Sequence, residues 1–404
     1  MSDRDVVIVG AARTPIGSFG GALREATIPA LAAVAIRSTM ERAGLAGVDV
    51  DELVLGVNFP GSDRSIARQA ALRGGLPEDG VAYTVDRACC SSLAALALTA
   101  RGIRSGESDV ALAGGAENLS AVPFFIDGMR WGHRLGSIQL GDQLVITCPH
   151  TGVPRAVQAA DEAARYGVGR AEQDRWALRS QQRCARAVER GLFDVEITPV
   201  RSPADAARPY SLGADESPRR DTTLERLAAL PTVHGSATVT AGNAPGLSTG
   251  AAMLAVAAAG VARERGLRPL ATVLGVASVS GPPAQIASIP AVAAQRVLDR
   301  CGVDLADVDL IEINEAFAAV PLVTTLRLAG GDADRAAELR ERTNVNGGAV
   351  ALGHPTGATG ARLVMTVVAE LRRRGGGIGL VTMCGGIGEA NAVLVRAHPD
   401  GEVK

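Results

Sequence analysis

Aromatic residues are scarce, at 3% of the 404-residue chain, so a large core must be filled by Ala, Val, Leu and Gly. Lysine is scarcer still: Lys404 is the only one, which excludes Schiff-base chemistry on an internal lysine. The longest uncharged apolar run, 250–262, has 13 residues, whereas a membrane span needs about 18. The first residues also lack the basic and apolar segments of a signal peptide. These absences predict a protein without a membrane partner.

Metal-binding and disulfide patterns are missing as well. No C-x-x-C pair occurs among the six cysteines, and the five histidines are scattered, so we expect no structural zinc site. Six cysteines in a chain of this length do not make a disulfide framework, and a reduced cytoplasm is the expected location. The net charge is −2, and no basic block stands beside aromatic residues, which argues against a nucleic-acid partner.

Short apolar, β-branched runs alternate with helical stretches along the chain. The runs predict buried strands at residues 6–9, 53–57, 110–113, 271–275, 310–313 and 379–383. Helices are predicted between them, at 30–43, 292–300 and 361–374. Strands that alternate with helices indicate an α/β fold with a mainly parallel sheet.

Two pairs of segments are similar to each other in the same order. DELVLGVN at 51–58 resembles DVDLIEIN at 307–314, and VALAGG at 110–115 resembles VTMCGG at 381–386 less closely. The similarity favours a duplicated α/β unit, with chance similarity of generic strands as the alternative.

The segment between the two similar halves has a different character. Residues 156–189 are amphipathic and charged, typical of helix, whereas 202–220 are rich in Pro, Asp and Arg, typical of a surface loop. We predict a mostly helical loop domain inserted in the first half. The predicted domains are 1–120 with 240–268, the insertion 121–239, and 269–404.

Cys89 is the first candidate for chemistry. It lies at the start of an Ala- and Leu-rich helix, where free N–H groups and the positive end of the helix dipole favour a thiolate. The alternative is a small buried cysteine, because free cysteine is among the most buried residue types.

Three further candidates follow predicted strands or sit in a glycine-rich loop. His354 lies in the loop 346–357 and could act as a base, or be a structural histidine in a tight turn. Cys384 follows a strand end, where ligands of open α/β sheets bind, and Gly386 offers an N–H to an oxyanion. Asn314 could position a water or cap the next helix.

Five motifs in order resemble the thiolase family over nearly the whole chain. They are AARTPIGSFGG at 11–21, GGAENLS at 114–120, TVTAGNA at 238–244, NEAF at 314–317 and GHP at 353–355. The resemblance implies the thiolase fold, with duplicated α/β/α/β/α halves. It also implies a thiolase-type acyl-CoA C-acyltransferase that cleaves 3-ketoacyl-CoA, or condenses two acyl-CoA molecules, through an acyl-cysteine intermediate.

The resemblance assigns a role to each candidate. Cys89 matches the acyl-accepting nucleophile, and His354 matches the histidine that activates it. Cys384 matches the second cysteine, which moves the α-proton of the attacking acyl-CoA. Asn314 matches the asparagine that holds the oxyanion-hole water, and the N–H groups of Cys89 and Gly386 match the second oxyanion hole. The implied substrate- and CoA-binding residues are Arg219, Asn243, Ala244, Pro245 and Phe317.

Several residues depart from the family pattern. Cys90 and Ser92 stand where the family usually has glycine, Pro245 replaces a common serine, and Thr249 replaces an aspartate. Small side chains at Ala159, Ala160 and Ala284 predict room for an acyl group longer than acetyl.

No metal or redox cofactor is expected, because CoA is itself a substrate and double displacement needs only a nucleophile and proton carriers. The expected partners are acyl-CoA, CoA and further copies of the chain in a homotetramer or homodimer. Two alternatives remain: a non-catalytic acyl-CoA-binding subunit of the same fold, and a different condensing enzyme that forms its carbanion by losing CO₂.

Overall fold

The computed structural model describes residues 2–145, 147–204 and 206–399. Its strands are β1 (Val6–Arg13), β2 (Gly17–Ser18), β3 (Glu52–Gly56), β4 (Val81–Val85), β5 (Val110–Asn118), β6 (Phe124–Phe125), β7 (Gly141–Asp142), β8 (Val200–Arg201), β9 (Ser211–Leu212), β10 (Ser248–Ala258), β11 (Ala271–Ser280), β12 (Leu310–Ile313), β13 (Gly377–Gly385) and β14 (Glu389–Ala397). Its α-helices are α1 (Ile28–Ala43), α2 (Ile66–Gly74), α3 (Ser91–Ser105), α4 (Arg155–Arg165), α5 (Arg170–Glu189), α6 (Leu224–Ala228), α7 (Ala259–Glu264), α8 (Ile289–Cys301), α9 (Ala319–Leu328), α10 (Ala333–Glu341), α11 (Ala349–Leu352) and α12 (Thr359–Arg373). Every predicted strand and helix named above overlaps one of these elements.

The central sheet is mixed, so the prediction of a mainly parallel sheet is wrong. Its path runs β12-β13-β14-β11-β1-β10-β5-β3-β4, with β2 beside β10. In the described chain, parallel pairing joins β3 to β4 and β5, and β12 to β13, whereas the other pairings in this sheet are antiparallel. The reason is that β10 and β14 follow a long insertion and a tight turn, respectively. Neither strand is reached through a crossover helix of the kind that makes neighbours parallel.

The two halves repeat the same topology. The order β1-β10-β5-β3 in the first half corresponds to β11-β14-β13-β12 in the second, and the halves meet where β1 pairs with β11. The similar segments found in the sequence therefore occupy equivalent strands, β3 with β12 and β5 with β13. This agreement confirms the predicted duplication.

Local sequence sets equivalent helices in the two halves. Helix α1 has Pro29 in its first turn and ends at Gly44 in the left-handed conformation, and α8 has Pro290 and Gly302 in the same places. Proline fits the first helical turn because its missing N–H would be unpaired there, and glycine accepts a positive φ at the end.

Helices α3 and α12 pack against each other on one face of the sheet. Leu93 and Leu96 of α3 share a buried cluster with Leu363 and Val367 of α12. Burying a leucine side chain contributes about 1.5–3 kcal/mol. The packing brings the N-terminal ends of the two helices together, and the loops that precede them carry Cys89 and His354.

The segment between β5 and β10 contains the helices α4, α5 and α6 of the predicted insertion. Of the short β8–β9 pair, β9 lies inside the predicted surface loop and β8 ends just before it. The domain boundaries given above stay a prediction. Among the described residues, no helix is long and apolar enough to cross a membrane.

Candidate active site

Cys89 lies in a strained turn between β4 and α3. Ala88 before it has a φ of 49°, a left-handed conformation that costs energy for a residue with a side chain. The Ser91 hydroxyl holds the turn, because it donates to the Ala88 carbonyl at 2.6 Å and accepts from the Arg87 N–H at 2.8 Å. The Cys89 side chain is left partly exposed, as a nucleophile requires.

The surroundings keep the free Cys89 thiol protonated. Burial from water raises its pKa to about 12, with the Glu117 carboxylate acting in the same direction. The Arg155 cation and hydrogen bonds from the backbone N–H groups of Cys89 and Gly386 lower the pKa by smaller amounts. The thiol therefore needs a base to react near neutral pH.

His354 is held as a neutral base. Its Nδ1 lies 2.7 Å from the Thr359 hydroxyl, which itself donates to the Pro355 carbonyl at 2.9 Å. The hydroxyl has one proton, so it accepts from Nδ1–H, and Nε2 carries the lone pair. Burial, together with the Arg362 cation, lowers the pKa of His354 to about 3. The imidazole is thus neutral at physiological pH, with Nε2 ready to accept a proton.

Asn314 lies at the end of β12 and faces that imidazole. Its Nδ2 donates to His354 Nε2 across 3.3 Å, while its Oδ1 is buried and has no hydrogen-bond partner. An unpaired buried amide oxygen costs free energy unless a water or substrate group donates to it. Asn314 can thus hold a water at this point, as the sequence prediction supposes, and the capping role has no support because the next helix, α9, begins at Ala319.

Cys384 lies near the end of β13 and is 5% exposed. Burial raises its pKa well above the usual range, and the neighbouring Cys89 acts in the same direction. Arg155 lowers it by a smaller amount. The two cysteines and His354 are therefore all held in their neutral forms.

Gly386 lies beside Arg155 and the turn that holds the nucleophile. A Cβ on Gly386 would make ordinary contacts, 3.4 Å from Arg155 Nη2 and 3.5 Å from the Ala88 Cβ. Its N–H donates to Cys89 Sγ, so the loop after β13 touches the turn that holds the nucleophile.

Two buried carboxylates, not assigned by the sequence analysis, hold the surrounding loops. Glu117 accepts from the N–H groups of Asn58, Phe59 and Gly357 and from the Thr356 hydroxyl, at 2.6–3.1 Å. It thereby joins the first half to the loop after His354. A charged residue in an otherwise apolar strand was the available signal.

The second carboxylate, Glu315, follows Asn314 directly. It accepts from Trp176 Nε1, the Ser180 hydroxyl, Asn344 Nδ2 and the Val350 N–H, at 2.8–3.0 Å. These bonds tie helix α5 of the insertion to the end of β12. The insertion therefore helps to position Asn314 through the neighbouring Glu315.

The predicted CoA-binding residues fall into three environments. The Asn243 amide donates to Asp174 Oδ1 at 2.9 Å and to the Thr238 carbonyl at 3.0 Å, so both of its amide hydrogens are used within the protein. Ala244 and Phe317 are partly buried and pack against an apolar cluster of the insertion, and Pro245 is half-buried. Arg219 is exposed. Asn243 thus positions the loop, and the structure gives no support to ligand contact by its amide nitrogen.

The departures from the family pattern have structural partners. Cys90 is fully buried and its thiol lies 3.5 Å from the Met383 carbonyl, within the core. The Ser92 hydroxyl accepts from the Ala361 N–H in the first turn of α12 at 3.0 Å. Thr249 donates to Asn118 Oδ1 at 2.8 Å. Each of these three side chains therefore has a partner within the protein.

The room predicted beside two small residues is absent. Ala159 and Ala160 are buried, and Val239 and Ile286 pack against them. Neighbouring side chains fill the space, as close packing in protein interiors favours. Ala284 is half-buried, so a longer acyl group would have to use another path.

No group of three or more metal-ligating side chains is found in residues 2–145, 147–204 and 206–399. Nothing tests the expectation that the protein works without a metal, which stays a prediction.

Comparisons with known proteins agree with this geometry. Residues 6–260 match the thiolase N-terminal domain, and residues 267–397 match the thiolase C-terminal domain. An acetyl-CoA acetyltransferase of Chromobacterium violaceum is 41% identical, over 96% of this chain and 99% of the relative. A beta-ketoadipyl-CoA thiolase of Pseudomonas knackmussii is also 41% identical, over 97% and 99%.

Solved structures give the same result. The Bacillus anthracis acetyl-CoA acetyltransferase is 37% identical with a TM-score of 0.92, covering 97% of this chain and 98% of that one. Human mitochondrial 3-ketoacyl-CoA thiolase is 35% identical with a TM-score of 0.91, covering 98% and 99%. The chain belongs to the thiolase family, and it is a thiolase-type acyl-CoA acyltransferase.

Proposed function

We propose that Cys89 accepts the acyl group and that His354 is its base. His354 Nε2 takes the thiol proton as Sγ attacks the thioester carbonyl. The new Sγ–C bond forms, the C–S bond to CoA breaks, and the CoA sulfur leaves with the proton returned by His354. The backbone N–H groups of Cys89 and Gly386 donate to the carbonyl oxygen as it gains charge.

In the second step Cys384 carries the α-proton. In condensation the Cys384 thiol passes its proton to His354, and the resulting thiolate removes a proton from the methyl carbon of acetyl-CoA. The carbanion attacks the acyl-Cys89 carbonyl, the Sγ–C bond breaks, and Cys89 leaves with the proton held by His354. In thiolysis the order is reversed, and the CoA thiol attacks acyl-Cys89. A water held by Asn314 Oδ1, together with the Nε2–H of His354 while it holds the Cys384 proton, stabilises the enolate oxygen of the attacking thioester.

The observation that carries this assignment is the arrangement of the elements around Cys89. The end of β13 and the loop after it bring the Cys384 thiol and the Gly386 N–H next to Cys89. The first turns of α3 and α12 are joined by the bond from the Ala361 N–H to the Ser92 hydroxyl, and the loops before these helices carry Cys89 and His354. Asn314 donates to His354 Nε2.

Intact-mass measurement after incubation with acetyl-CoA tests the assignment. We expect one acetyl group on the wild-type chain and none on Cys89→Ala, with thiolysis lost as well. Cys301→Ala removes a partly exposed thiol far from the site and is the matched control. A label that persists in Cys89→Ala, or moves to Cys90, would contradict the assignment. Absence of any label on the wild type would favour the non-catalytic subunit.

Arg219 is proposed as a contact for the anionic nucleotide part of CoA. Support comes from its exposure and from the absence of an ion pair to its guanidinium among the described residues, whereas adjacent Arg220 lies 4.0 Å from Glu189. Arg219→Gln should raise the KM for CoA more than Arg220→Gln does. Equal KM values in the two variants would remove this role.

The reaction as proposed needs no metal or redox cofactor, since every bond change is an acyl or proton transfer among named groups. Treatment with a strong chelator followed by gel filtration should leave thiolysis intact. Loss of activity that returns with one added metal would overturn this part of the proposal. We also propose a reduced cytoplasm as the location, supported by the free state of all six thiols, two of which must react.

Self-association is proposed through the first half. Strand β4 ends the sheet path with one edge unpaired, and its Val81 and Tyr83 are 43% and 53% exposed. A second apolar surface is formed by exposed side chains of the insertion, namely Phe124, Phe125, Ile126, Met129, Trp131, Leu135, Ile138, Leu140 and Val145. Such surfaces mark protein interfaces.

Light scattering coupled to gel filtration tests the assembly. We expect a tetramer that Trp131→Asp with Leu135→Asp reduces to a dimer, and that Tyr83→Lys reduces further. A monomeric wild type at micromolar concentration would contradict self-association.

A further inference from the structure

Arg155 is a cation that the proposed reaction does not use. It begins helix α4, and its Nη1 donates to Gln158 Oε1 at 2.8 Å. Gln158 is itself held by the Thr151 hydroxyl at 3.2 Å. The Nε atom of Arg155 is buried and has no partner. The Arg155 guanidinium is therefore held by a neutral side chain, and its Nε–H has no acceptor among the described residues.

The two fully buried arginines of the described chain have a counterion: Arg13 pairs with Glu196 and Asp215, each at 2.8 Å, and Arg362 lies 3.5 Å from Glu312. The half-buried Arg68 and Arg342 donate to backbone carbonyls instead. Arg155 makes no ion pair with any described carboxylate. A partly buried cation without a counterion is costly, and a bound anion would offset that cost.

The position of Arg155 identifies where such an anion would lie. Its Nη2 is 3.4 Å from the point where a Cβ on Gly386 would stand, and Gly386 donates to Cys89 Sγ. The cation also acts electrostatically on both Cys89 and Cys384. It therefore faces the acyl group bound to Cys89, rather than the nucleotide at the other end of CoA.

We propose that Arg155 binds a carboxylate at the far end of a short acyl group, so that the enzyme accepts dicarboxylic acyl-CoA thioesters. The thioester carbonyl oxygen already has the N–H groups of Cys89 and Gly386, which leaves Arg155 for a second anionic group. A guanidinium can bind a carboxylate through two parallel N–H donors, which gives direction as well as charge. The proposal rests on Cys89 as the acyl acceptor.

Succinyl-CoA and butyryl-CoA test this proposal. Their acyl groups have four carbons each, but the succinyl group ends in a carboxylate and the butyryl group ends in a methyl group. We expect the wild type to form succinyl-Cys89 faster than butyryl-Cys89, measured by intact mass over time. Arg155→Gln should lower the succinyl-to-butyryl rate ratio by roughly 10- to 100-fold, the range for losing a hydrogen-bonded charge. Arg155→Lys, which keeps the charge without the planar pair of donors, should give an intermediate ratio.

Arg165→Gln is the matched control, since Arg165 is exposed at the other end of the same helix. It should leave the ratio as in the wild type. Acetylation of Cys89 by acetyl-CoA in every variant separates failure of this inference from failure of the proposed function and from misfolding.

Two results would overturn the proposal. One is a wild-type ratio at or below one. The other is an Arg155→Gln variant that loses equal rate with both thioesters while the pH dependence of Cys89 alkylation moves to higher pH. That second result would give Arg155 the different task of stabilising the thiolates.

Discussion

The two halves of the molecule share one frame and use it differently. In each half a glycine in the first strand lets the first helix approach, since a Cβ on Gly10 would lie 2.7 Å from Ala43 Cβ and one on Gly275 would meet Cys301. The loop before the central helix carries Cys89 in the first half and His354 in the second. The shared topology thus sets the position of one reactive residue in each half. The loop sequence determines whether that residue forms a covalent bond, as Cys89 does, or transfers a proton, as His354 does.

The equivalent strands β3 and β12 show the same division. Gly56 packs directly on α3, where its Cβ would lie 2.6 Å from the Ser91 backbone. Its counterpart Glu312 instead faces Arg362 on α12. In the first half α3 packs close to the sheet. In the second half the buried pair of Glu312 and Arg362 lies between the sheet and α12. That pair bears on chemistry, because Arg362 lowers the pKa of His354.

Removing Cys384 should separate the tasks of the two halves most clearly. Cys384→Ala should still be acetylated at Cys89, because the first half supplies the nucleophile, while α-proton exchange and condensation fall by about 10²- to 10⁴-fold. Exchange of deuterium into the methyl group of acetyl-CoA measures the loss, with Cys301→Ala as control. An equal loss of acetylation would show that the second cysteine also serves the first step.

Breaking the buried charge pair should destabilise the second half. Burial raises the pKa of Glu312 to about 8 even with Arg362 beside it, so the ion pair is fully formed only above that pH. In urea titrations at a pH above 8, Arg362→Met removes the partner and should lower the free energy of unfolding by about 3–5 kcal/mol. The double variant Arg362→Met with Glu312→Leu should regain most of the lost free energy of unfolding. A double variant no more stable than Arg362→Met would mean that packing, and not the unpaired carboxyl, sets the loss.

The pH dependence of the free energy of unfolding should show that His354 is neutral in the folded protein. Its folded pKa of about 3 lies below the unfolded value of about 6.5, so only the unfolded chain takes up this proton as the pH falls between these values. The wild type should lose up to about 1.4 kcal/mol of unfolding free energy per pH unit more than His354→Gln between about pH 6 and 4. The exposed His133→Gln should keep the wild-type slope. Parallel slopes for wild type and His354→Gln would place a charged imidazole in the folded protein.

Sequence patterns predicted the elements and most of the site, but not the relations between distant elements. Buried strands and capped helices leave local periodicity. The NEAF and GHP motifs contain Asn314 and His354, and a helix start and a strand end located Cys89 and Cys384. Strand direction depends on connections, so the antiparallel β10 and β14 were missed. Arg155 was missed for a similar reason: one arginine among many has no local signal, and its importance comes from Gly386, far along the chain.

The smallest effect concerns the contact where the two central helices meet. The Ser92 hydroxyl accepts from the Ala361 N–H, one of the first-turn donors that a helix cannot pair internally. Ser92→Ala should therefore lower the free energy of unfolding by about 1 kcal/mol, the usual value of a capping hydrogen bond. Ser105→Ala, at the exposed end of the same helix, should change it by less than about 0.5 kcal/mol. Because α12 follows the His354 loop, Ser92→Ala should also slow Cys89 acetylation slightly. Stability equal to that of Ser105→Ala would mean that apolar packing alone joins the halves here.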